Sequence, residues 1–284
     1  MNMRKLYDNN VVPRTPSQQG KWVSVEIEML FPHQKAKHGF EKEIVGKRLT
    51  SFVCVKEDGS IDTDDDEGED QPCGRCFECR HGERYDCSNP DGGQQTAEIV
   101  VTFLDDGKYK VLKQVCSLIR KYKGKVNDSC GLHVHFDMRD KTAKEAQLVG
   151  MKLALYIDAL KRILPESRRD SSYCDLDINS IEDDEDNRYA FINLVSYHKH
   201  KTIEIRAHQG TVDFQKIKNW IQILKTLMKS KTASETNTVK ELVSAVKFPQ
   251  TLRNYLMHRE NQFSGTRHKV STKFRLREEA SEAA

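Results

Sequence analysis

"SCGLHVHFD", residues 129–137, decides how this chain is read. Alternation puts Leu132, Val134 and Phe136 on one face of a strand and His133, His135 and Asp137 on the other. Two more segments follow the same rule. In "KWVSVEIEMLF", Val23, Val25, Ile27 and Met29 share one side, and Ser24, Glu26, Glu28 and Leu30 share the opposite side. In "KTIEIRAH", Ile203, Ile205 and Ala207 oppose Thr202, Glu204, Arg206 and His208. A fourth strand, "TAEIVVTFL", carries one charge, Glu98, in an apolar run. An ordinary solvent face is built of Lys, Thr, Ser and Glu. These faces instead gather carboxylates, imidazoles and a guanidinium, which are metal- and phosphate-binding groups.

Between the strands lie helical patterns. "KYKVLKQVCSLIRKY" spaces Tyr109, Leu112, Val115, Cys116, Ile119 and Tyr122 along one stripe. "TAKEAQLVGMKLALYIDALKRILP" opens with Thr142 and Glu145 at capping-box spacing and reads as one long helix ending at Pro165. "VDFQKIKNWIQILKTLMKS" is amphipathic through Ile217, Trp220, Ile221 and Leu224, and "TNTVKELVSAVKF" predicts a shorter helix. A strand is expected around "LTSFVCV", and "RYAFINLVSY" with "KTIEIRAH" predicts a hairpin. The fold class that follows is α+β, with a mostly antiparallel sheet and flanking helices.

The chain has 284 residues and a formal net charge of +3, with its charges segregated. Residues 57–70 and 182–186 are acidic; the stretch from Arg253 to Arg277 is basic. Such runs read as solvated loops or tails. Few aromatics are interleaved with the basic run, which disfavours a nucleic-acid partner. No apolar run reaches the roughly 18 residues of a membrane span, and the first residues contain no secretory h-region, so a cytoplasmic location without membrane contact is expected. The expected organisation is an arm at 1–20, a catalytic domain at 21–250 interrupted by an insertion at about 57–94, and a basic segment at 251–284.

That insertion holds Cys73, Cys76, Cys79 and Cys87 within "CGRCFECRHGERYDC". Thiols of a cytosolic chain stay reduced, so the cluster reads as a structural Zn²⁺ site rather than as disulfides. An iron–sulfur cluster is the other option for this spacing.

Carboxylates crowded on one surface repel unless cations sit between them. With imidazole and no clustered thiol, they suit Mg²⁺ or Mn²⁺, and arginine on the same surface suits a phosphate-bearing ligand. There is no GxxxxGK[ST] loop, so this is not a P-loop enzyme. "VEIEMLF", "QTAEIV", "CGLHVHFD", "RYAFINL" and "TIEIRAHQGTVDFQKIKNWI", in that order from about residue 22 to 230, resemble the successive motifs of the amidoligases. These are members of the carboxylate–amine ligase superfamily that includes glutamine synthetase.

The resemblance implies a curved antiparallel sheet cupping an ATP site. It also implies amide formation between a carboxylate and an amine, peptides among the candidates, through an acyl phosphate. Carried over by position, Glu28 and Glu98 would hold one metal ion, and Glu26, His133 and Glu204 a second. His135 would lie near the ATP phosphates. Arg206 would contact the transferred phosphate, and Arg188 would be a further phosphate or substrate contact. Two other readings stay open on the residues alone. One is a metal-dependent hydrolase using the same Glu and His face, which leaves Arg206 without a task. The other is a zinc-containing nucleic-acid-binding protein, which leaves the patterned strands unexplained.

Overall fold

The computed structural model describes residues 21–63, 93–169, 174, 189–232, 234–265 and 268. Arg188 and the four clustered cysteines lie outside the described residues. Among the described residues, six strands hydrogen-bond in the order β2-β3-β1-β4-β6-β5. They are β1 (Trp22–Phe31), β2 (Val53–Lys56), β3 (Gln95–Leu104), β4 (Gly131–Asp137), β5 (Ile192–Asn193) and β6 (Thr202–Gln209). The pairs β2–β3, β4–β6 and β5–β6 are antiparallel. With the helices below this is an α+β fold. Among the described residues, no helix is long and apolar enough to cross a membrane.

The chain divides into two units. One contains Val25–Cys130 and Gly210–Val212; the other contains Gly131–Gln209 and the chain from Asp213 on, with β1 beginning in it.

In the first unit, β2 runs against β3 with Lys56 opposite Glu98. Helices α1 (Gln34–Gly46) and α2 (Lys110–Lys121) pack on each other, and α2 also packs on β3. Leu112, Val115, Cys116 and Ile119 of α2 are buried, as the stripe requires. Helix α1 was not among the expected elements. Its buried Ala36, Phe40 and Ile44 recur every four residues, and the His33 imidazole caps it by accepting from the Ala36 amide. Phe40 meets Phe31 at 5.3 Å between ring centroids. Beyond β2 the chain stays anchored: Asp62 N–H donates to Ser129 Oγ at 3.0 Å, and Asn127 Nδ2 donates to Asp62 O at 2.7 Å. Gly210 N–H donates to Cys130 O at 2.8 Å, and a Cβ at Gly210 would lie 2.5 Å from Cys130 Cβ, so the close approach of these backbones requires glycine there.

In the second unit, all seven residues of β4 are buried, so the face of His133, His135 and Asp137 is not a solvent face. The β4–β6 register shifts between Leu132 and Val134: Leu132 pairs with His208, and Val134 with Ile205. One extra residue on β6 is a bulge, and it breaks the alternation expected there. His208 consequently does not join Glu204 and Arg206. It packs on Trp220, 5.2 Å between ring centroids, within α7 (Phe214–Lys229).

The expected long helix after β4 is interrupted. Its capping box, Thr142 with Glu145, is present, but α3 (Ala143–Ala154) stops and a short α4 (Ile157–Lys161) restarts. At the break, Leu155 O accepts from Thr236 N–H and Thr236 O accepts from Ala159 N–H. A distant backbone segment thus takes hydrogen bonds that the helix would otherwise have made. A further turn, α5, spans Glu166–Arg169. The expected hairpin is likewise shortened: β5 has two residues, and "VSYHKH" forms α6 (Val195–His200) before Lys201 reverses the chain at φ 56°.

Helix α7, capped by Asp213 accepting from Lys216 N–H, buries Ile217, Trp220, Ile221, Ile223, Leu224 and Leu227. It packs against α3 and against α9 (Gln250–Phe263), and α9 also meets α8 (Val239–Ala245). The first part of the stretch read as a solvated basic tail, to Phe263, is therefore a packed helix, and the residues from 269 on lie outside the described residues. Leu252, Tyr255, Leu256, Arg259 and Glu260 of α9 are buried. Burial of these charges is compensated by partners: Glu260 accepts from Arg162 and pairs with His268, and Arg259 donates to Gln209 Oε1 at 3.0 Å.

Candidate active site

In the first unit, β1 and β3 bring together the two carboxylates expected to share a metal. Glu28, Asp58 and Glu98 each offer an oxygen within 4.8 Å of the others. Glu28 is buried; Asp58 and Glu98 are partly exposed. Asp58 was not singled out from the sequence, because it sits at the start of a run of acidic residues that reads as a loop. It lies two residues past the end of β2 in a tight turn, where its Oδ1 accepts from Ser60 N at 2.9 Å and Ser60 Oγ at 2.6 Å. Two carboxylates about 5 Å apart repel by roughly 3 kcal/mol at an effective dielectric near 20. Three hard oxygen donors at this spacing fit a divalent cation such as Mg²⁺ or Mn²⁺.

Glu26, on the same strand, is partly buried beside Lys56. The Lys56 ammonium donates to Glu98 Oε1 at 2.6 Å and lies 4.0 Å from Glu26 Oε1. Burial pulls the Lys56 amine down, but the Glu98 and Glu26 carboxylates outweigh it and leave its pKa above the ordinary value. Lys56 is a second residue that the sequence reading passed over.

In the second unit, His133 and Glu204 come together: His133 Nδ1 lies 3.5 Å from Glu204 Oε1, and both are buried. Arg206 Nη1 donates to the same oxygen at 2.6 Å. The other carboxylate oxygen, Oε2, accepts from Asn193 Nδ2 at 2.7 Å, across the β5–β6 pair. Glu204 is thereby fixed in plane, with Oε1 turned toward His133 and Arg206. The His135 ring is placed by hydroxyls: its Nδ1 is 3.0 Å from Thr202 Oγ1 and 3.3 Å from Ser196 Oγ, and its Nε2 is 3.9 Å from Glu204 Oε1. The last residue of the opening motif has a structural task. Asp137 takes a two-pronged hydrogen bond from Arg139, Nε to Oδ1 and Nη2 to Oδ2, each 2.7 Å.

This is an α+β protein whose antiparallel sheet presents carboxylates, imidazoles and a guanidinium. A family described as "Putative amidoligase enzyme" matches residues 21–182 and 176–228, most of the chain, and the chain belongs to that family. No curated protein and no solved structure matches it.

Proposed function

We propose that this chain is an ATP- and Mg²⁺-dependent ligase that joins a carboxylate to an amine through an acyl-phosphate intermediate. One observation carries the reading beyond family membership: Glu28, Asp58 and Glu98 converge within 4.8 Å in a chain of the amidoligase family. Glu28, Asp58 and Glu98 would hold one divalent cation, and His133 and Glu204 would supply ligands to a second. When bound, such ions neutralise nucleotide phosphate charge and orient the γ-phosphoryl group for in-line attack.

The chain's own residues supply the rest. Asn193 and Arg206 set the plane of Glu204, so that its carboxylate faces a fixed direction. Arg206 lies at the edge of the group with its side chain partly exposed, and its guanidinium also reaches the Tyr189 ring at 5.9 Å. From there it can stabilise charge that grows on a transferred phosphoryl group. Ser196 and Thr202 orient the His135 imidazole so that a ring nitrogen can donate to phosphate oxygens. Arg188 would contact phosphate or substrate, and Cys73, Cys76, Cys79 and Cys87 would hold a structural Zn²⁺. A hydrolase reading gains nothing from the ion pair of Arg206 with Glu204.

Calorimetry with ATP tests this. The wild type is expected to bind ATP only with Mg²⁺ present, and Glu28→Ala and Arg206→Ala are expected to lose that binding. A wild type that binds no ATP in the presence of Mg²⁺ sinks the ligase reading.

A further inference from the structure

The cross-strand pair Lys56–Glu98 has the form of an ordinary salt bridge, yet it stands where a cation is wanted. Lys56 is directly opposite Glu98 in the β2–β3 register. Its ammonium is 2.6 Å from Glu98 Oε1 and 4.0 Å from Glu26 Oε1, so it bridges carboxylates of two strands. Glu98 in turn shares the 4.8 Å grouping with Glu28 and Asp58. An ammonium and a divalent cation cannot both hold the same carboxylate oxygen at close range without strong repulsion.

We infer that Lys56 is a built-in counter-cation of the carboxylate group, displaced when a divalent metal binds, and that it sets the metal affinity of the site. The inference rests on the proposed metal-dependent function. Lys56 acts through Glu98 and is thus a positioning residue. It offsets the repulsion among the carboxylates while no metal is present, and it raises the metal concentration needed for loading. Its side chain is about one-third exposed, which leaves room for the ammonium to swing away from Glu98 when the oxygen changes partner.

The test is Mn²⁺ binding, read as loss of the free-ion signal in electron paramagnetic resonance, on wild type, Lys56→Met and Lys47→Met. Lys47 pairs with Glu43 on the surface at 3.4 Å and serves as the control for lost charge. One neighbouring charge within about 4–6 Å shifts an ionic equilibrium by roughly one to three decades, so Lys56→Met is expected to bind Mn²⁺ at least about tenfold tighter. Lys47→Met is expected to match the wild type. A second readout needs no variant: acylation of the Lys56 amine, followed by mass spectrometry, is expected to speed up when Mn²⁺ is added. Equal or weaker Mn²⁺ binding by Lys56→Met, or slower or unchanged acylation with Mn²⁺, overturns the inference while leaving the metal site in place. Absence of Mn²⁺ binding in both wild type and Lys56→Met removes the metal-dependent reading and this inference with it.

Discussion

His208 turns the bulge in β6 into a measurable pH dependence. Burial, together with the positive charges of Arg259, Lys216 and Arg168, pulls its imidazole from the usual 6.5 to about 3, despite the hydrogen bond it gives to Gln209 O at 2.7 Å. A depressed pKa in the folded state means stability that is complete above the unfolded value and is lost as pH falls toward the folded one. Between pH 6.5 and 4.5 the unfolded chain takes up a proton at this position that the folded chain refuses. The loss approaches about 1.4 kcal/mol per pH unit below pH 6 and integrates to about 2.3 kcal/mol across that interval. Urea unfolding at several pH values on wild type and His208→Phe isolates this contribution, because all other titrating groups are common to both. Wild type is expected to lose about 2–3 kcal/mol more than the variant between pH 6.5 and 4.5. Parallel pH profiles for the two proteins would refute both the burial of a neutral imidazole and the turn of His208 toward Trp220.

Other outcomes follow from packing, capping and the site. Trp220→Ala removes a fully buried ring from α7 and is expected to cost about 3–5 kcal/mol in urea unfolding. Gly210→Ala drives a methyl to 2.5 Å from Cys130 Cβ and 2.9 Å from its carbonyl oxygen. It is expected to destabilise by about 1–3 kcal/mol, or more if the backbone cannot shift, and thermal unfolding checks it. Thr142→Ala loses the hydroxyl half of the α3 capping box, in which Thr142 Oγ1 accepts from Glu145 N–H, worth about 1 kcal/mol, while nucleotide binding is expected to stay unchanged. Arg206→Lys keeps the charge but loses the planar fork, and with an accepted acid and amine in hand it is expected to lower kcat by about 10²–10³. A variant as fast as wild type would remove Arg206 from the phosphoryl-transfer role.

The chemistry was legible in the sequence because it sits on strands, where a period of two assigns faces directly. Glu26 and Glu28, Glu98, His133 and His135, and Glu204 with Arg206 all occupy the elements expected of them. Alternation failed at His208, since an inserted residue in β6 changes its parity and nothing local marks the insertion. The break at Leu155 is set by Thr236, about eighty residues on, and periodicity over one helix cannot see it. Asp58 was hidden by its neighbours, an acidic run whose composition signals a solvated loop. In α9, Arg259 and Glu260 read as surface charges because their partners, Gln209 and Arg162, are remote in sequence. The four-residue spacing of Ala36, Phe40 and Ile44 was present, but it lies in a segment rich in Lys and Glu with little apolar weight.

Strands β2 and β3 are hydrogen-bonded neighbours although residues 57–94 separate them. They form a hairpin with an outsized connection. Loop-closure entropy grows only with the logarithm of length, so shortening such a connection from about 38 residues to a handful changes the cost by roughly 2 kcal/mol. The start of the connection is held at Asp62, whose amide donates to Ser129 and whose carbonyl accepts from Asn127, and Gly93 precedes β3. The two ends between which β2 and β3 are joined are therefore fixed by contacts of residues 58–63 and by the start of β3. The β2–β3 pairing thus tolerates a change in the length of its connection at an entropic cost that is small beside the packing of the two strands.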